Sequence, residues 1–152
     1  MMLPLVIGVG RPHCGDDSAG LEVARRLRIR AAETVAVVLA DGEASSLMQA
    51  WAGQERVVII DASASGSRPG TVRRFDAVRE PLPSRHRAKS THGFGVVEAI
   101  EMARALDSLP KSLVVYGIEG RSFDIGSDLS PEVVAVVDEV VARALEECEV
   151  EA

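Results

Sequence analysis

Four aspartates and a histidine occupy positions where chemistry could be assembled. Asp16 and Asp17 follow an apolar run that includes Gly8 and Gly10, Asp41 closes a second run, Asp61 closes a third, and His92 precedes a segment of helical spacing. Carboxylates that converge with an imidazole suit a borderline divalent cation such as nickel or zinc, since oxygen and nitrogen donors replace the thiolates a softer ion prefers. A cation held this way polarises a carbonyl or activates a water, which are the ingredients of metal-assisted hydrolysis. Each residue also has a plainer reading. An Asp after a strand often caps a helix or forms a turn, and a histidine beside Ser90 and Thr91 at a helix start is more often structural than a ligand. The expected convergence of Asp17, Asp61 and His92 raises the set above these alternatives.

Other chemistries lack their signatures. The loop from Gly8 to Asp17 is glycine-rich, but its spacing does not match G-x-G-x-x-G, and Asp16-Asp17 stand where a phosphate-binding loop needs Lys and Ser or Thr. Two carboxylates there would repel phosphate, so no nucleotide is expected. Neither a Gly-x-Ser-x-Gly elbow nor a His-Glu-x-x-His helix occurs. Cys14 is a candidate nucleophile or soft ligand. His13 and His86 read as solvated, and Arg85, His86, Arg87 and Lys89 read as an exposed loop.

The elements that must position these residues follow from hydrophobic periodicity. Leu3 to Val9, Thr34 to Leu39, Val57 to Ile60 and Leu113 to Ile118 are short apolar runs of the kind buried on both faces of a parallel sheet, the third stopped by Asp61. Thr71 to Phe75 alternates and reads as an edge or antiparallel strand. Between these runs, Ser18 to Arg30, Ala44 to Ala52, the segment bearing Val96, Ile100, Ala103 and Leu106, and the stretch from Pro131 read as helices. Ser130 is a candidate cap for the last of them, with Pro131 in its first turn. Alternating strands and helices predict an α/β domain, a three-layer sandwich with a largely parallel sheet and helices on both faces. Residues 1–152 are read as one domain, without repeat or linker. In such a sheet, ligands bind beyond the carboxyl ends of the strands, where the aspartates fall.

Composition narrows the partners. The 152 residues carry 17 Lys and Arg against 23 Asp and Glu, a net charge of -6 with no basic stripe, so nucleic acid is not expected. One Trp, one Tyr and three Phe leave little for base stacking. Cys14 and Cys148 read as free thiols of a reducing compartment. The apolar start lacks a basic leader and falls short of the roughly 20 residues a membrane span needs, so the expected location is cytoplasmic, away from membranes.

Taken in order, Ile7-Gly-Val-Gly10, Gly15-Asp-Asp-Ser-Ala-Gly20, Asp41-Gly42, Val58-Ile-Ile-Asp61-Ala, Ser90-Thr-His92 and Leu129-Ser-Pro131 resemble the hydrogenase maturation endopeptidases. These trim the C-terminal extension from the large subunit of nickel-iron hydrogenases. The resemblance implies a metal site of Asp17, Asp61 and His92, used to recognise nickel already inserted in the large-subunit precursor, so that the nickel is supplied by the substrate. It also implies catalytic roles for Asp17 and Asp41, the latter from the Asp-Gly motif. This chain departs from the family in having Arg11 where Asn is usual and Glu43 where a second Gly is usual. Arg11 is therefore expected to bind a substrate carboxylate or reshape its loop. The competing reading is a degenerate, non-catalytic family member that binds metal or peptide.

Overall fold

The computed structural model describes residues 2–83 and 95–149. Among the described residues, five strands form one sheet: β1 (Leu5–Val9), β2 (Ala36–Ala40), β3 (Arg56–Ser63), β4 (Val72–Asp76) and β5 (Ser112–Glu119). Their order is β2-β1-β3-β5-β4. β1 runs parallel to β2 and to β3, β3 parallel to β5, and only β4 is antiparallel, along the outer side of β5. Of the described residues, four α-helices cover the sheet: α1 (Ala19–Ala31), α2 (Ala44–Trp51), α3 (Val96–Ala105) and α4 (Pro131–Glu149). The expected α/β sandwich and the antiparallel edge strand are both observed.

Strand alternation sorts the apolar side chains into two cores. Leu5, Ile7 and Val9 of β1, Val57 and Ile59 of β3, and Leu113 and Val115 of β5 pack with α2 and α3 around Leu47, Trp51 and Ile100. The intervening Val6, Val58, Ile60, Val114, Tyr116 and Ile118 face α1 and α4 through Val23, Leu27, Val133, Val137 and Val140. Burial on both faces explains why these runs read as continuous rather than alternating. Each fully buried Val, Leu or Ile contributes on the order of 1.5–3 kcal/mol, so the site is carried by strands fixed from both sides.

β3 differs from the sequence expectation. It continues past Asp61 to Ser63, because β5 pairs with it over eight residues, Arg56 with Ser112 through Ser63 with Glu119. Asp61 is thus a strand residue opposite Gly117, held by a ladder on which polarity has no bearing. The last helix also begins differently. Ser130 supplies its carbonyl to the amides of Val133 and Val134, while its hydroxyl donates to Asp16 at 2.8 Å.

Polar contacts tie the layers at their rims. Arg26 of α1 bridges Glu22 and Asp138 of α4, and Arg28 donates to the carbonyl of Val37 on the edge strand β2 at 3.1 Å. Tyr116 donates to Glu147 at 2.7 Å, with Arg74 paired to the same carboxylate. Burial, reinforced by Glu147, pushes the Tyr116 hydroxyl up to about 12. Arg104 of α3 donates to the Ala77 carbonyl beyond β4 at 2.6 Å.

Connection order creates the crevice. The chain leaves β1 through α1 on one face to reach β2, then returns through α2 on the other face to β3, on the opposite side of β1. The crossovers diverge at the carboxyl ends of β1 and β3, and this is where a doubly wound sheet opens for a ligand.

Candidate functional site

The glycines of the first loop bring α1 hard against the sheet. A Cβ on Gly8 would lie 2.4 Å from the Gly20 carbonyl oxygen, one on Gly10 would lie 2.0 Å from that of Asp17, and one on Gly20 would lie 2.3 Å from that of Ile60. All are below any real Cβ contact, so side chains are excluded by backbone. The glycines that suggested a phosphate loop instead let backbone pack on backbone, and this close approach places the loop 11–18 over the ends of β1 and β3.

Within that loop the adjacent aspartates have opposite roles. Asp16 is fully buried. Its carboxylate accepts from the Arg121 amide at 2.7 Å, the Ser122 amide at 3.2 Å, the Ser130 amide at 2.7 Å and the Ser130 hydroxyl at 2.8 Å. The amides of Gly15 and Asp16 add bonds to the carbonyls of Ser127 and Ser122. Asp16 is therefore a clamp joining the first loop to the segment that leads into α4. Asp17, one residue on, retains 14% side-chain exposure and lies 3.6 Å from Arg11 Nε.

Asp61 reaches the same crevice from β3. Its oxygen accepts from the adjacent Ala62 amide at 2.8 Å. Desolvation is the main cause pushing its carboxyl up to about 8, the Asp17 charge adds to it, and the Ala62 bond opposes both. Asp17 is near enough for its charge to act on Asp61, which resists ionisation for that reason as well as through desolvation. A divalent cation between them would turn this repulsion into attraction. Two carboxylate donors alone suit a hard divalent cation, and the imidazole that would favour a borderline one belongs to His92, the third member of the expected trio with Asp17 and Asp61. His92 lies outside the described residues, as do His86 and the Arg85, Arg87 and Lys89 loop. Among the described residues, no group of three or more His, Cys, Asp or Glu is arranged to hold a metal ion.

Asp41 stands apart in environment. It is exposed just beyond β2, and its carboxylate accepts from the Glu43 amide at 3.0 Å, a short turn of the kind its Asp-Gly context favours. Arg11 lies beside Asp17 with its side chain part-exposed. Cys14 is buried with a free thiol, Cys148 is also free, and His13 is exposed with φ 63°.

One buried carboxylate escaped the sequence reading. Glu119, 4% exposed at the end of β5, accepts from the Ser65 hydroxyl at 2.6 Å, the Ser65 and Gly66 amides and the Ser63 hydroxyl. It folds the Ser63-to-Ser67 loop back on the sheet. A charged residue closing an apolar run, together with three serines and a glycine after another strand, was the available signal.

Comparison with known proteins bears on the family and the fold. The family model described as hydrogenase maturation protease matches residues 21–147. A hydrogenase expression/formation protein, HupD of Thiocapsa roseopersicina, is 26% identical over 145 residues, covering 93% of this chain, which spans 66% of that relative. The hydrogenase maturating endopeptidase HybD of E. coli superposes with TM-score 0.78 at 25% identity, covering 99% of this chain and 96% of its own. The [NiFe] hydrogenase maturation protease HybD of Thermococcus kodakarensis superposes with TM-score 0.73 at 29% identity, covering 97% and 100%.

Proposed function

This chain belongs to the hydrogenase maturation protease family, and from that premise we propose that it removes the C-terminal extension of a nickel-iron hydrogenase large-subunit precursor after nickel insertion. The observation that supports the reading is that Asp17, in the loop after β1, and Asp61, near the end of β3, both stand at the switch-point end of the sheet, where the charge of the first disfavours ionisation of the second. Carboxylates so disposed gain most from a cation that arrives with the substrate.

In this reading Asp17 and Asp61, joined by His92, hold the substrate's nickel and so register the extension in the cleft. Bound there, the metal supplies carbonyl polarisation. The residues do the rest. Asp17, fixed by the loop that Asp16 anchors, orients the peptide and is the nearer candidate to take a proton from the attacking water. Asp41, at the end of the neighbouring strand, is assigned a secondary part in positioning or hydrolysis. Asp61 lies on a strand paired on both sides, so its carboxyl is well suited to fix distance.

The test is to incubate the protein with nickel-loaded and nickel-free forms of a large-subunit precursor and weigh the products. Loss of the C-terminal peptide only from the loaded form is expected. Cleavage without nickel would overturn recognition of the metal, and no mass loss from several loaded precursors would leave a binding module. Asp17→Ala, Asp61→Ala and His92→Ala should each lower cleavage by about 100-fold or more, as loss of a metal ligand or its orienting partner commonly does, with the fold intact. Full activity of the His92→Ala protein would remove His92 from the site.

A further inference from the structure

Arg11 is the residue whose placement the assigned chemistry does not require. Its backbone has little freedom. The Gly10 amide bonds to the Ala40 carbonyl at 3.0 Å, the Asp17 carbonyl leaves Gly10 no room for a side chain, and Pro12 follows, restricting Arg11 to extended conformations. Its long side chain has the rotatable bonds that the backbone lacks. The side chain is 42% exposed, yet Nε lies 3.6 Å from Oδ2 of Asp17, itself only 14% exposed. A cation on a long side chain thus stands beside the recessed carboxylate of an acidic crevice.

We propose that Arg11 is an internal counter-cation, which occupies Asp17 electrostatically and thereby discriminates against free divalent metal in favour of metal already neutralised by ligands of its own. The inference rests on the reading of Asp17 and Asp61 as the metal-recognising pair. A bare dication entering the crevice must break the Arg11–Asp17 pair and approach a guanidinium, and both oppose binding. A metal whose charge is cancelled by substrate ligands must displace the same pair but is not repelled by the guanidinium, so only the bare dication bears both costs. Arg11 then keeps the crevice from filling with stray metal before a loaded precursor arrives. It is a positioning residue for Asp17 and a specificity determinant, with no part in bond cleavage.

Titration of the metal-free protein with Ni2+ alone, followed by calorimetry, tests this directly. Arg11→Gln should bind Ni2+ roughly fivefold more tightly than wild type, the scale appropriate to a half-exposed pair. Arg11→Lys, which keeps the charge, should remain within about twofold of wild type. The gap should narrow as added salt screens the charge. Equal affinities for wild type and Arg11→Gln, including no binding by either, would overturn the proposal, as would Gln and Lys variants that shift alike. The control is Asp61→Asn in the Arg11→Gln background. If it leaves Ni2+ binding unchanged, the site reading fails; if it abolishes binding while Arg11→Gln matches wild type, only the role of Arg11 fails.

Discussion

Asp16 and Asp61 are both carboxylates at the carboxyl edge of one sheet, the first fully buried and the second half-buried, and their surroundings treat them oppositely. Asp16 is fully buried with four donors, three of them backbone amides, converging from the segment before α4. Among the described residues Asp61 receives one, the amide of its own neighbour, and it faces the charge of Asp17. A buried charge is tolerable when its lone pairs are met. The first carboxylate therefore joins loop to helix, whereas the second is left costly in the metal-free protein. That difference separates structure from readiness, since only the unsatisfied group has binding energy to gain from an arriving cation.

The largest effect should come from breaking the satisfied side. Asp16→Ala strands three amides and a hydroxyl in the interior and should destabilise the protein by about 3–5 kcal/mol, measured by urea unfolding. A loss below about 1 kcal/mol would mean that water replaces the carboxylate and that the clamp is not structural. Glu119→Ala, which frees the Ser65 and Gly66 amides in a less enclosed loop, should cost about 2–3 kcal/mol by the same measurement.

The unsatisfied side should respond with opposite sign. Asp61 keeps its proton in the folded state up to about pH 8, whereas the unfolded chain loses it near pH 4. The folded state therefore binds more protons between these values, and its stability falls as pH rises through the window. In EDTA-treated protein, Asp61→Asn should remove this slope and stabilise at pH 8 by on the order of 2 kcal/mol, while Ni2+ binding is lost. Unchanged pH dependence of unfolding in the variant would show that Asp61 is solvated like an ordinary carboxylate. The smallest change belongs to Asp41→Ala. Its exposed turn bond should be worth about 0.5 kcal/mol or less, so any large fall in precursor cleavage by this variant reports chemistry rather than folding.

Strands and helices were legible because each is buried on a regular period, Val57 to Ile60 and Val133 to Val141 being examples. The end of β3 was not, since the residues Asp61 to Ser63 break the apolar pattern while pairing with β5 continues. The candidate site was read as a set of carboxylates at the ends of apolar runs, of which Asp61 proves to lie within β3 and Asp41 to stand apart. What could not be read was the division of labour between Asp16 and Asp17. That division depends on Arg121, Ser122 and Ser130, more than a hundred residues away, and on which way a single loop turns. Glu119 was hidden for the same reason, its serine partners lying on a different strand exit. Arg11 was legible as unusual, but its contact with Asp17 required the fold.

The contact between Arg28 and the Val37 carbonyl bears on how such a protein survives at high concentration. β2 is an edge strand of sequence Ala-Val-Val-Leu-Ala, which has no charge or proline of its own to discourage another chain from adding alongside it. A guanidinium from α1 occupies a backbone acceptor midway along it. An incoming strand would have to displace that group, and so the helix supplies the gatekeeper against aggregation that the strand itself lacks.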